Sequence, residues 1–368
     1  MARPTKALIS KSALLHNYNV AQQLAPNSNN VAIIKANAYG HGAVAVAQIL
    51  EPVVQAFGVA CIEEALELRV AGINKPILLL EGFFSKEEVA IAAKMNFWTM
   101  LDNQRQLDWI LTAQCSKPLK VWLKVDTGMH RLGVQPEQVN DFYQQLLASD
   151  NVDNDIILTT HFASADEGNN PSTETQITLF NQLTETLRTS LASDTLVSTS
   201  MANSAGILDW PKAHRDWNRP GFMLYGNSPL DRVTDNGLQL KPVMTLKSEV
   251  ISLREVKSGQ KVGYGSNWTA ARDSQIATVA IGYGDGYPRI AKNGTPTLVN
   301  GVIAPLAGRV SMDMITIDVT DIADVSIGDE VILWGAELPV NDVALHASTI
   351  GYEALTRMPL RTKRIIVD

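Results

Sequence analysis

Eight short apolar runs, separated by helical patterns, occupy the chain before about residue 230 and constrain its fold more than any other feature. The helical patterns include Ile62–Arg69 and Thr173–Leu191. Strands that alternate with helices form parallel sheets, and eight repeats predict a closed (β/α)8 barrel. An open doubly wound sheet is the alternative, but no GxGxxG turn follows the first run, which disfavours dinucleotide binding. The eight runs begin near Val31, Phe57, Pro76, Phe97, Leu119, Ile156, Leu196 and Phe222.

The pattern changes after about residue 235. Runs such as Met244–Ile251, Ile276–Ile281 and Met314–Val319 are separated by Gly, Asp and Asn turns. This pattern is typical of a smaller, mainly β domain. We therefore predict an α/β fold, with a barrel domain at residues 1–234 and a mainly β C-terminal domain at residues 235–368.

Composition restricts the classes of partner. The chain has 368 residues, of which 45% are hydrophobic and 19% charged, as in ordinary globular proteins. Its net charge of −7 disfavours nucleic acid and anionic membranes as partners. With two cysteines, Cys61 and Cys115, no disulfide framework is expected. Residues 1–6 contain no apolar leader, and no run approaches the ~18 apolar residues that span a membrane, so we expect a cytoplasmic protein.

The first apolar run, Val31–Ile34, leads directly into Lys35, and a turn with two glycines follows. Lys35 is therefore expected at the carboxyl end of a barrel strand, where such folds place their chemistry. A buried ammonium group is costly unless it is paired, loses its proton or reacts, for example with an aldehyde cofactor. The alternative is a lysine that has left the strand and reaches solvent.

The fifth and sixth runs also end in polar side chains. The fifth run ends in Lys124, and Asp126 and Arg131 follow it. Arg131 offers a planar set of donors for a carboxylate, phosphate or phenolate, although a surface ion-pair cluster is the alternative. His161 follows the sixth run and is a candidate ligand contact, although a lone histidine is more often structural.

Small residues follow the seventh and eighth runs. Ser204 lies in the segment Ser200–Gly206, and Gly221 and Phe222 lie in Arg219–Gly226. Barrel phosphate sites commonly use these two loops. In the second domain, tyrosines beside turn glycines recur on loops, where binding residues concentrate.

Together these motifs resemble the alanine racemase family, whose members join a barrel to a β domain and use pyridoxal 5′-phosphate. The likeness covers nearly the whole chain. It implies that Lys35 holds the cofactor as an internal aldimine and that Tyr264 is the second catalytic residue. The other cofactor contacts that it implies are Tyr39, His161, Asn203, Ser204, Arg219, Gly221, Phe222 and Tyr352. The substrate contacts that it implies are Arg131, Met312, Asp313 and Tyr283.

The resemblance also implies a reaction. L-Alanine and D-alanine would be interconverted by Lys35 and Tyr264, which act on opposite faces of one carbon. It implies no metal, and it implies a homodimer in which Tyr264 and Met312 reach the partner's site. Lys124 matches a position that is often carbamylated in the family. The D-alanine would supply peptidoglycan synthesis or belong to alanine catabolism.

Other functions remain as alternatives at this stage. A racemase that accepts serine or other amino acids would use the same two bases. A barrel-type amino-acid decarboxylase shares the cofactor, but the pairing of Lys35 with Tyr264 fits proton transfer. A non-catalytic, single-barrel cofactor-binding protein would lack the β domain.

Overall fold

The computed structural model describes residues 3–191 and 197–368, and it confirms a closed barrel followed by a mainly β domain. Leu196, where the seventh run begins, and residues 1–2 of the N-terminal segment lie outside the described residues. All neighbouring barrel strands are parallel, and the first pairs with the last. In chain order the barrel strands are Asn29–Ile33, Ala56–Val59, Ile77–Leu79, Phe97–Leu101, Val121–Lys124, Ile157–Thr159, Ser198–Ser200 and Trp217–Asn218.

The eighth strand is not where the sequence predicted it. Trp217–Asn218 closes the barrel, whereas the apolar run at Phe222 forms a 3-10 turn, Phe222–Tyr225. Pro220 lacks the N–H that a strand donates, although its carbonyl still accepts from Ile33 N–H at 2.9 Å. The run is apolar because its side chains are buried beneath the barrel mouth, and burial alone does not make a strand.

Helices cover the barrel, and polar residues define where several begin. Ser10 caps the first helix by accepting from Ala13 N–H at 3.0 Å, and Asn103 caps another by accepting from Gln106 N–H at 3.0 Å. No helix among residues 3–191 and 197–368 combines the length and apolar character needed to cross a membrane. The barrel helices are Lys11–Leu24, Ala43–Leu50, Ile62–Val70, Glu87–Met95, Gln104–Thr112, Val139–Leu147, Ser172–Ser190 and Ser204–Asp209.

The second domain is built on an eight-stranded sheet. Its first strand comes from the N-terminus: Lys6–Ser10 pairs antiparallel with Met244–Val256 and parallel with Lys363–Val367. The division at residue 234 stays a prediction, but this strand belongs to the second sheet rather than to the barrel. The other strands of the sheet are Ser274–Val279, Pro296–Val299, Val302–Pro305, Ile315–Asp318 and Glu330–Trp334.

Smaller elements of the second domain complete the chain. A separate hairpin pairs Lys261–Val262 with Trp268–Thr269 and carries the turn Tyr264–Ser266 at its tip. Short helices cover Asp235–Leu238, Val340–His346 and Gly351–Thr356. The last of these lies over the barrel mouth, where Tyr352 stacks on Phe222 with ring centroids 3.7 Å apart. The two domains therefore meet at the carboxyl ends of the barrel strands.

Candidate active site

A cavity of about 440 Å³ lies at this barrel mouth. A larger cavity, of about 560 Å³, lies at the opposite end, beside Ser28 and Arg215, and none of the predicted site residues line it. The cavity at the mouth is therefore the candidate site. The predicted residues that line it are Lys35, Tyr39, Lys124, Arg131, His161, Asn203, Ser204, Arg219, Gly221, Phe222 and Tyr352.

Lys35 begins a left-handed turn just beyond the end of the first barrel strand. Ala36, Asn37, Ala38 and Tyr39 have φ between 50° and 54°. For residues other than glycine, this conformation costs roughly 1–2 kcal/mol each. The surrounding structure must therefore hold the turn, because four such residues in succession would not persist by themselves.

Two side chains that sequence reasoning missed hold this turn. The Glu64 carboxylate accepts from Ala36 N–H at 2.7 Å and from Ala60 N–H at 2.8 Å. His41 is fully buried, and its Nδ1 lies 2.9 Å from the carbonyl oxygen of Tyr39. Burial lowers the pKa of His41 to about 4, so the ring is neutral and donates through Nδ1. The position of His41 between two glycines was the available signal.

The cavity has a net excess of positive charge. It is lined by Lys35, Lys124, Arg131 and Arg219, with Glu81 as the acidic side chain in its lining. Burial, followed by the charges of Arg219 and Arg131, lowers the pKa of Lys124 to about 8. This arrangement favours an anionic ligand, since an anion would offset charges that the protein leaves uncompensated.

Asp126, by contrast, does not face the ligand cavity. Its carboxylate accepts from the backbone N–H groups of Gly128, Met129 and His130 at 2.9–3.1 Å. These bonds lower the pKa of Asp126, although its partial burial acts in the opposite direction. Asp126 therefore shapes the turn that leads to Arg131, which is exposed at the rim of the cavity.

Arg219 is buried and donates to neutral acceptors. Its terminal nitrogens donate to Thr159 Oγ1 at 3.0 Å, Thr160 O at 2.6 Å, Met201 O at 3.0 Å and Ser200 Oγ. Burial lowers the pKa of Arg219 to about 10, so the guanidinium is still protonated at neutral pH. Within the described residues these bonds use both terminal nitrogens and leave Nε for a ligand.

His161 stays neutral beside this cation. Burial and the charges of Arg219 and Lys124 hold its pKa well below the usual value. Arg219 Nη2 lies 3.4 Å from His161 Nδ1, but its two hydrogens already bond to Thr160 O and Met201 O at shorter distances. His161 therefore offers the cavity a flat, uncharged ring.

Polar groups near Ser204 and Gly221 also line the cavity. Ser204 Oγ accepts from Gly221 N–H at 2.9 Å, and the Tyr39 and Tyr352 hydroxyls lie on neighbouring elements. Burial raises the pKa of Tyr39 to about 12 and also raises that of Tyr352, so both phenols keep their protons and can donate. A Cβ at Gly221 would lie 2.9 Å from the Tyr39 hydroxyl, so only glycine leaves this space open. Asn203 accepts from Gly206 N–H at 3.0 Å and fixes the start of the adjoining helix.

Of the predicted residues of the second domain, Tyr352 lines this cavity, whereas Tyr264, Tyr283, Met312 and Asp313 do not reach it within one chain. Tyr264 is 71% exposed at its hairpin tip, and Met312 and Tyr283 are also exposed. Asp313 forms an ion pair with Arg361 on the same domain. The structure therefore gathers the barrel residues and Tyr352 in one place and leaves Tyr264, Tyr283, Met312 and Asp313 outside the cavity.

Two models of known protein families match this chain. Models of the alanine racemase N-terminal and C-terminal domains match residues 9–229 and 243–366. The chain belongs to the alanine racemase family. The resemblance stated from the motifs is confirmed, and the protein is an isomerase of this family.

Individual relatives match along their whole lengths. The catabolic alanine racemase of Pseudomonas putida is 48% identical, over 97% of this chain and 98% of the relative. The biosynthetic alanine racemase of Pseudomonas aeruginosa superposes with a TM-score of 0.93 at 44% identity, covering 100% of both chains. The Bartonella henselae alanine racemase, solved with covalently bound pyridoxal phosphate, has a TM-score of 0.88 and 32% identity, covering 99% of each chain.

Proposed function

We propose that this racemase binds pyridoxal 5′-phosphate at the barrel mouth and interconverts L-alanine and D-alanine with Lys35 and Tyr264 as its two bases. The observation that carries the proposal is a cavity that combines a lysine, excess positive charge and polar groups beside Gly221. The bound cofactor of the B. henselae relative supports it.

The residues of the cavity fit such a cofactor. Lys35 would hold its aldehyde carbon, and Ser204, the Gly221 and Phe222 backbone, Tyr39 and Tyr352 would hold its phosphate. Asn203 would fix the loop beside that phosphate, and the neutral His161 ring would contact the cofactor ring. When bound, the cofactor would supply the electron sink that makes the substrate α-hydrogen acidic. The space that a Cβ at Gly221 would fill supports this assignment.

Arg219 would influence the chemistry of the cofactor ring because its guanidinium stays protonated. With a pKa of about 10, its guanidinium remains a donor at neutral pH, and Nε is the nitrogen left for a ring acceptor. A ring nitrogen facing it would accept a hydrogen bond and not a proton. Arg219 would thereby restrict side reactions, such as transamination, that need a fully protonated ring.

Two bases require two surfaces, since one group cannot readily reach both faces of the same carbon. Lys35 Nζ lies on the barrel side, and the exposed Tyr264 hydroxyl would approach from the other. One would remove the α-proton while the other returns a proton to the opposite face. Because Tyr264 does not reach the cavity of its own chain, we propose a homodimer in which each subunit completes its partner's site.

Three further assignments complete the proposed substrate site. Arg131, at the cavity rim, would hold the substrate carboxylate, and the partner's loops would add Met312, Asp313 and Tyr283. Lys124, with a pKa of about 8, has a neutral fraction at pH 7 that can react with carbon dioxide. A carbamate there would neutralise one cation and orient Arg131. A carbonyl resonance from ¹³C-bicarbonate that disappears in Lys124→Gln would support this assignment, and its persistence would exclude it.

We propose that the enzyme acts in the cytoplasm, supplying D-alanine for peptidoglycan or degrading alanine. Relatives carry both descriptions, biosynthetic in P. aeruginosa and catabolic in P. putida. Deletion of the gene separates the two roles. A D-alanine requirement on rich medium indicates supply, whereas failure to grow on alanine alone indicates catabolism.

Purified protein tests the proposed activity directly. Addition of the cofactor should produce an absorbance band in the visible range that is missing in Lys35→Ala. Reactions started from L-alanine and from D-alanine should reach the same equilibrium mixture. A panel containing serine measures the substrate range. Carbon dioxide release without racemisation would indicate a decarboxylase instead. A bound cofactor without turnover would indicate a carrier.

A further inference from the structure

Two loops of the second domain carry the substrate residues proposed for the opposite subunit, and they are joined to each other. Residues 282–286 contain Tyr283, and residues 311–313 contain Met312. Tyr283 N–H donates to Ser311 O at 3.0 Å, and Gly284 N–H donates to Met312 O at 2.8 Å. A shift of one loop therefore moves the other.

The contact between the loops is direct backbone packing. A Cβ at Gly282 would lie 2.3 Å from Ser311 O and 2.5 Å from Met312 O. A Cβ at Gly284 would lie 3.0 Å from Met312 O. Because backbone lies against backbone here, beside the side chains of Arg361 and Met312, a group that fixes one loop also restrains the other.

Asp285 is the group that fixes them. It is fully buried, and its Oδ2 accepts from Gly282 N–H at 3.0 Å, which closes the first loop. The same Oδ2 accepts from Arg3 Nη2 at 2.6 Å, and Arg361 Nε lies 2.8 Å from Oδ1. Thr362 Oγ1 donates to the Asp285 carbonyl at 2.8 Å. One carboxylate thus joins the loop to segments near both ends of the chain.

Both arginines continue from Asp285 to the second loop. Arg3 Nη2 donates to Asp313 O at 3.0 Å, and Arg361 Nη2 pairs with the Asp313 carboxylate. Each guanidinium therefore bridges the two loops, and Asp285 holds both in place. Without the Asp285 charge, Arg3 would lose its anion and Arg361 would keep only the Asp313 carboxylate, so the bridge between the two loops would be weakened.

We propose that Asp285 is a positioning residue that acts across the dimer: it fixes Tyr283 and Met312 as one rigid unit at the substrate entrance of the partner's site. The proposal rests on the shared active site proposed above. Asp285 touches no reacting atom in this account, and its effect passes through the two loops.

Hybrid dimers of differently tagged subunits test the proposal, because Lys35→Ala removes one of the two sites. In the split hybrid, one subunit carries Lys35→Ala and the other Asp285→Asn. The one active site of this hybrid combines Lys35 of the Asp285→Asn subunit with the loops of the Lys35→Ala subunit, in which Asp285 is intact. In the joint hybrid, one subunit carries both changes and its partner is wild type. The live site then uses the loops that lack Asp285.

The two hybrids contain the same substitutions in the same numbers, so a general loss of stability affects both. We expect the KM for alanine to rise about tenfold or more in the joint hybrid, as small misplacements of binding groups do, with a smaller change in kcat. The split hybrid should keep the wild-type KM. Equal KM values in the two hybrids, or a rise in the split hybrid, would overturn the proposal.

Two further sets of variants keep the test decisive. If Asp285→Asn does not fold, Arg361→Gln takes its place in both hybrids, since Arg361 is partly exposed, and Arg361→Lys should restore part of the KM. The shared site itself is tested with a second pair of hybrids, in which Lys35→Ala and Tyr264→Phe lie either on different subunits (split) or on the same subunit (joint). If only the joint hybrid of this pair is active, the shared site is refuted. If only the split hybrid is active, the site is shared, and the KM comparison of the Asp285→Asn hybrids then tests the role of Asp285.

Discussion

His41 should make the stability of this enzyme depend on pH in a way that one substitution removes. Its ring is fully buried, Nδ1 donates to the backbone of the left-handed turn beside Lys35, and Nε2 has no partner among the described residues. A proton on that ring would have neither solvent nor an acceptor. This is the physical reason that burial lowers its pKa to about 4.

The sign of this pH dependence of stability follows from proton linkage. Below pH ~6.5 the unfolded chain takes up a proton at His41 that the folded chain refuses, so acid favours unfolding. The stability is complete above the unfolded pKa, and it is lost as the pH falls towards the folded value of about 4. Between pH 7 and pH 5 this single group should remove about 2 kcal/mol from the free energy of unfolding.

Urea unfolding of wild type and His41→Asn at both pH values measures this loss, at fixed protein and cofactor concentrations. Asparagine keeps a donor near Nδ1 but does not titrate. The variant should be less stable at pH 7, because the ring packing is lost, yet its stability should fall with pH by about 2 kcal/mol less than that of wild type. His346→Asn, at an exposed position, is the control. An unchanged pH dependence in His41→Asn would refute the reasoning.

Two further predictions concern the cavity. Gly221→Ala should weaken cofactor binding by roughly tenfold or more while the fold is kept, because its Cβ would displace the Tyr39 hydroxyl but its backbone needs no positive φ. Cofactor titration followed by absorbance checks this, and unchanged affinity would place the phosphate elsewhere. Arg131→Lys should raise the KM for alanine roughly tenfold, since lysine lacks the planar pair of donors. Steady-state kinetics checks this, and an unchanged KM would remove Arg131 from the substrate site.

The barrel could be predicted from sequence because both faces of its strands are buried, so their residues form continuous apolar runs between helical patterns. The same rule failed at Phe222, since a buried 3-10 turn and a buried strand have equally apolar side chains. The N-terminal strand, Lys6–Ser10, was missed as part of the second sheet because its partners lie more than 230 residues away. The periodicity of a sequence indicates local secondary structure, but it does not indicate which distant strands pair.

The cavity residues of the barrel could be predicted because they lie at the ends of strands or in the loops that follow them, and the carboxyl ends of parallel strands meet at one mouth. The residues that hold the turn beside Lys35 could not be predicted in this way. Glu64 acts from the first turn of a helix whose sequence is ordinarily amphipathic, and His41 acts through backbone contacts that depend on a left-handed turn. The bridge from Asp285 to the two arginines depends on contacts between the ends of the chain, which no local pattern shows.

The central claim is that a proton leaves one face of the alanine carbon and another proton arrives from the opposite face. The most direct test is the isotope content of both enantiomers, measured at early times with L-alanine in deuterated water. We predict that the D-alanine formed carries deuterium from the first turnovers, and that Tyr264→Phe suppresses its formation. D-Alanine that keeps the hydrogen of the substrate, or a Tyr264→Phe variant that racemises at the wild-type rate, would contradict the two-base account.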